Sequence, residues 1–96
     1  MLQDLTPASF SEHLNTPFRL ALQGGTLELE LYEVKVLEPH PGPRADPFSV
    51  FFRGPRGPVL PQATYALEHE KLGKLEIFLV PVGPDAKGMC YEAVFN

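Results

Sequence analysis

The chain has 96 residues, 44% hydrophobic and 21% charged, which is enough for one domain with a modest core and no staples. Twelve acidic against eight basic residues leave a formal net charge of −4, which argues against general nucleic-acid binding. A single cysteine, Cys90, excludes an internal disulfide and points to a reducing, cytoplasmic setting. No apolar run approaches the ~20 residues of a membrane span.

The opening MLQDLTPASF carries an acid at Asp4, no basic residue and no apolar core run, so a signal peptide is not expected. Thr6 predicts a helix N-cap with Pro7 at the first helical position, where its missing N–H costs nothing. Leu5 and Phe10 match a hydrophobic staple. Ser9 stands where a capping box places Glu or Gln, so no capping box is expected. Phe10 and Leu14 share a face and are predicted to cover the sheet; Asn15 and Pro17 end the helix.

Residues 18–23 and 26–37 read as a hairpin around Gly24-Gly25, which supply the positive φ of a primed turn. That register pairs Leu22 with Leu27, Leu20 with Leu29, Phe18 with Leu31 and Arg19 with Glu30. Beyond Tyr32 the apolar positions change phase to Val34 and Val36, which predicts a β-bulge near Tyr32-Glu33. Residues 38–47 (EPHPGPRADP) read as a loop. Residues 48–53 form a strand with Phe48, Val50 and Phe52 on one face. The proline-rich 54–62 connection is expected to fold Val59 and Leu60 back onto apolar surface.

Residues 64–69 and 74–82 predict a second hairpin, with Leu67 opposite Leu75, Tyr65 opposite Ile77 and Glu68 opposite Lys74. Its turn is Glu70-Lys71-Leu72 with Gly73 as a glycine bulge. The stretch 74–96 is the centre of the chain: a last hairpin turns at 83–88 and sets Ile77 opposite Phe95, Leu79 opposite Ala93 and Pro81 opposite Tyr91. The whole predicts one domain over 1–96, mainly β: a compact six-stranded antiparallel barrel or tight sandwich with one short N-terminal helix. Eleven prolines with few Asn and Gln point to a thermophilic source.

No catalytic, cofactor-binding or metal-ligating residue is expected. His13, His40 and His69 fall in a helix, a loop and a strand end, without metal-ligand spacing. Cys90 has no basic neighbour closer than Lys87 and reads as a packed thiol. Glu28, Glu30 and Glu33 read as a solvated face. Arg44, Arg53 and Arg56 make the middle of the chain basic and are the candidate anion-binding residues. With Leu75, Ile77 and Leu79 turned inward, Phe78, Val80 and Val82 face the other way, joined by Phe51 and Val94. Either the helix and the Val59-Leu60 segment cover them or they meet a partner.

The segments FSVFFRGP, LPQATYALEHEKLGKLEIFLVPVGPD and YEAVFN together resemble a family of small uncharacterised bacterial domains. Some members accompany phage-tail-collar-like proteins, so the resemblance implies an accessory or assembly role and brings no catalytic residue. The expected function is therefore a non-enzymatic protein-interaction or assembly module that binds a protein partner or itself, as a homodimer. The alternative is a small-ligand barrel taking an anion or a flavin.

Overall fold

In the computed structural model, which describes residues 5–22, 24–38, 47–57 and 59–95, the elements are α1 (Pro7–Ser11), β1 (Pro17–Leu22), β2 (Gly25–Val36), β3 (Phe48–Gly54), β4 (Ala63–His69), β5 (Gly73–Asp85) and β6 (Gly88–Phe95). The six strands close into an antiparallel barrel in the order β1-β2-β3-β6-β5-β4, with β4 returning to β1 through Leu67–Leu20 and Glu68–Arg19. Closure gives each strand a paired neighbour on both sides, which is how a chain this small limits edge-to-edge pairing.

The interior is filled by side chains from alternate positions. Phe18, Leu20, Leu29, Leu31, Val50, Phe52, Leu67, Leu75, Ile77, Leu79, Tyr91 and Ala93 are all buried. Period-two alternation sends the residues between them outward. Helix α1 closes one mouth: Phe10 is fully buried, with its ring centroid 6.4 Å from Phe18, 5.9 Å from Phe48 and 5.5 Å from Phe95. Strands β3 and β4 are not neighbours, so the chain between them crosses the barrel. There Leu60 is buried, and its N–H donates to the Tyr91 hydroxyl at 2.9 Å. Val59 beside it is exposed, so only half of the predicted apolar return is made.

The helix starts as expected at Thr6 and Pro7 but differs in two respects. A capping box is present after all, because the Ser9 hydroxyl accepts from the Thr6 N–H (3.3 Å) in place of a carboxylate. The helix also ends at Ser11, so Leu14 falls in a turn and is exposed instead of covering the sheet. Asn15 takes a positive φ of 65° there, the short polar residue best suited to it.

Strands β4 and β5 pair as predicted, with Leu67–Leu75, Tyr65–Ile77 and Glu68–Lys74 opposed and Gly73 at φ 77°. The bulge is between Leu31 and Glu33. The β1–β2 register is displaced by two residues: Phe18 opposes Leu29, Leu20 opposes Leu27, and Arg19 opposes Glu28 rather than Glu30. A two-residue slip keeps every side chain on its own face, so hydrophobic patterning could not reject the alternative. In the last hairpin Pro81 opposes Tyr91 as expected. A second bulge, at Val82, was not foreseen, and it leaves Ala86-Lys87 between Asp85 and Gly88.

Candidate functional site

The outer surface of β3, β6 and β5 has two unlike halves. In one, Val80, Glu92, Phe51 and Glu33 follow one another across four strands. Two residues further along β5 and β6, on the same face, come Phe78 and Val94. Phe78 is 49% exposed, Val94 48% and the bulged Val82 49%, while Val80 and Phe51 are half-buried. All five residues proposed for partner binding thus come from neighbouring strands of one surface. Among the described residues the two candidate covers are engaged elsewhere: Phe10 of the helix packs in one mouth of the barrel and Leu60 is tied to Tyr91. Within this half Ser49 is buried, and its hydroxyl donates to Glu92 Oε2 at 2.7 Å.

The other half is sealed. The bulge turns the Tyr32 ring across the sheet, where the Arg53 guanidinium lies 4.0 Å from its centroid. Arg53 holds Asp85 through two donors, Nη2 to Oδ2 at 2.6 Å and Nε to Oδ2 at 3.1 Å. Asp85 Oδ1 accepts the N–H groups of Lys87 and Gly88 at 2.8 and 3.0 Å, which fixes the β5–β6 turn. Arg56 Nη2 donates to the Asp85 carbonyl at 2.8 Å. The Cys90 thiol lies beneath, 5% exposed.

These contacts shift acidities in directions their chemistry explains. The Arg53 hydrogen bond, with help from the Lys87 N–H, holds the Asp85 carboxyl well below the usual carboxylate range. Arg53 is raised in turn, chiefly by that bond. Burial, then a hydrogen bond with Cys90, pushes the Tyr32 phenol up to about 12. Of the residues read as anion-binding, Arg53 is therefore engaged by Asp85, Arg56 caps the same turn, and Arg44 lies outside the described residues, as does His40.

A third cluster is brought together by the fold from distant parts of the chain. His13 and His69 are 56 positions apart, yet their rings meet with centroids 4.5 Å apart beside a cleft of about 470 Å³. His69 is buried, packed 4.4 Å from the Phe18 ring. Its Nδ1 accepts the N–H groups of Lys71 (2.9 Å) and Leu72 (3.2 Å), so it carries no proton, and Nε2–H is left to donate to Thr16 Oγ at 2.9 Å. Thr16 passes its own hydroxyl hydrogen to the His13 carbonyl. The position of His69 directly before a turn was the clue available, since a ring nitrogen there caps backbone donors as an Asx side chain does. A second cleft, of about 440 Å³, runs from Pro17 and Glu28 to Arg53 and Lys87. Among the described residues no group of three or more His, Cys, Asp or Glu side chains has the geometry to hold a metal ion. No helix among them is long and apolar enough to cross a membrane.

The fold and surfaces define a small closed β-barrel with a filled interior. Residues 5–95 match the model of a family described as a domain of unknown function (DUF6916), and the chain belongs to that family. Comparison with curated proteins gives no match, and comparison with solved structures gives none.

Proposed function

We propose that this domain is a non-enzymatic protein-interaction module whose partner docks on the outer face formed by Phe51, Phe78, Val80, Val82 and Val94. One observation carries this reading: three large apolar side chains stand about half exposed together on neighbouring strands, while the chain's own covering segments are used elsewhere. Contiguous exposed apolar surface on a small domain marks an interaction site more often than a chance of composition. Glu33 and Glu92 alternate with Phe51 and Val80 along this face, giving it the mixed apolar and acidic character of an interface with a polar rim.

The likeness of the 48–55 and 59–96 segments to bacterial domains that accompany phage-tail-collar-like proteins favours an accessory role in a larger assembly. The lone buried thiol suits a reducing cytoplasm, and the proline content suits a heat-adapted source. The competing reading, a barrel that takes a small anion or flavin, has less support. The axis is occupied by packed side chains, and the Arg53 guanidinium that would receive an anion is already bidentate to Asp85. Phe78→Asp tests the proposal: it is expected to abolish self-association in sedimentation or the capture of a specific partner from the native host. An unchanged sedimentation profile together with an unchanged set of captured proteins overturns it.

A further inference from the structure

We propose that His69 is an acid-sensitive latch that holds the α1 segment over the barrel mouth and releases it when the ring takes up a proton. The geometry requires the neutral ring. Nδ1 faces two backbone N–H donors from the β4–β5 turn, those of Lys71 and Leu72, so a proton placed there meets two hydrogens already pointing at it. Protonation at this nitrogen breaks both bonds, which frees the turn and forces the ring from its seat, carrying Nε2–H away from Thr16. Among the described residues, Nε2–H makes the one side-chain hydrogen bond from the head of this turn to the segment after α1, through the Thr16 hydroxyl and on to the His13 carbonyl. One ring therefore fastens two stretches of backbone far apart in the chain.

The surroundings reinforce this preference. The groups facing the ring are His13, Glu12 and Thr16 from the α1 segment, Arg19 from β1, and Glu70 and Lys71 from the turn. Burial against Phe18 disfavours the charged ring first, and His13, Arg19 and Lys71 act in the same sense. Glu70 opposes them and does not prevail, so His69 is held below the ordinary histidine range. Proton uptake is thus easier once the latch has opened. As pH falls below about 6.5, the open form gains on the closed one by up to tenfold per pH unit until the closed form itself titrates. What opens is an apolar mouth, because Phe10 is the stopper on Phe18, Phe48 and Phe95.

The test is nitrogen-15 NMR of the histidine rings and amide exchange of the whole domain between pH 8 and pH 5. The latch predicts an Nε2–H tautomer for His69 at pH 7.5 and a midpoint below 6.5. It also predicts that protection at the His13 and Asn15 amides, relative to β3 and β6, falls up to ~10-fold between pH 6.5 and 5.5. Contacts from the Phe10 ring to Phe48 and Phe95 fade over the same range. In His69→Asn the side-chain oxygen can still accept from the turn but does not titrate, so protection becomes independent of pH. Thr16→Val, which removes the strap and keeps the histidine, lowers protection already at pH 7.5. A His69 midpoint at or above 6.5 overturns the proposal, as does equal protection of the α1 segment at pH 7.5 and 5 in the unmodified protein.

Discussion

The two halves of the outer surface of β3, β6 and β5 show what this chain does, and omits to do, with apolar surface turned toward water. At one end Cys90 is 5% exposed because Tyr32 folds across it and Arg53 is pinned above by Asp85. At the other end Phe78 and Val94, on the same pair of strands, are about half exposed. The barrel therefore possesses the means of covering an outer face: a bulge that re-aims an aromatic ring and an ion pair that locks it. It uses them at one end only. That contrast between a covered and a bare end is what supports the proposal that a partner docks on Phe78 and Val94.

The largest effect is expected where the sealed half is closed off at its turn. A Cβ added at Gly88 would lie 2.2 Å from the Gly54 carbonyl oxygen, a backbone atom that cannot swing aside. Gly88→Ala should therefore cost ~3 kcal/mol in chemical denaturation, at the upper end of ordinary single substitutions. Next comes the lock itself. Arg53→Ala should cost about 1 kcal/mol, since the pair is partly exposed, and should open Cys90 to a thiol reagent that modifies the native protein slowly. Equal labelling rates in the two proteins would show that the Arg53–Asp85 pair does not form the seal.

The sealed half should also impart pH dependence that the bare half cannot. The Asp85 carboxyl is depressed in the folded chain, so its contribution is present above the ordinary carboxylate range near ~4 and fades as pH falls below it. Tyr32 is raised to about 12, so the unfolded chain gives up that proton first. Its contribution is whole below pH ~10 and is lost as pH rises from there toward the folded value. In Tyr32→Phe the alkaline loss from this group should vanish in a denaturation series at pH 9 to 11. The smallest stability effect belongs to the bare half, where Phe78→Asp should change folding by no more than ~0.5 kcal/mol.

Legibility in the sequence followed how strongly each feature was over-determined. The β4–β5 register was readable because a glycine turn, an apolar face and the Glu68–Lys74 pair all agree on one alignment. The β1–β2 register was not, because Gly24 and Gly25 both accept a turn and a slip of two leaves every leucine on its face. The Leu31–Glu33 bulge was announced by a change of phase. The Val82 bulge was not, since Val80, Pro81 and Val82 are apolar throughout and carry no phase to change. The exposed face itself was legible as a surplus of apolar residues on alternate positions of β5. The sealed half needed tertiary contacts over 32 positions between Arg53 and Asp85. The His13–His69 contact is of the same long-range kind.

The central claim is that the bare face receives a partner, and capture from the native host by three forms of the domain tests it most directly. These are the unmodified protein, Phe78→Asp on the bare face, and Leu14→Asp, which changes an exposed leucine on the β1–β2 side of the barrel. Captured proteins are identified by mass spectrometry and self-association is followed by sedimentation. The account predicts a specific partner, or a self-associated form, that is kept by Leu14→Asp and lost by Phe78→Asp. Identical profiles for all three proteins would contradict it.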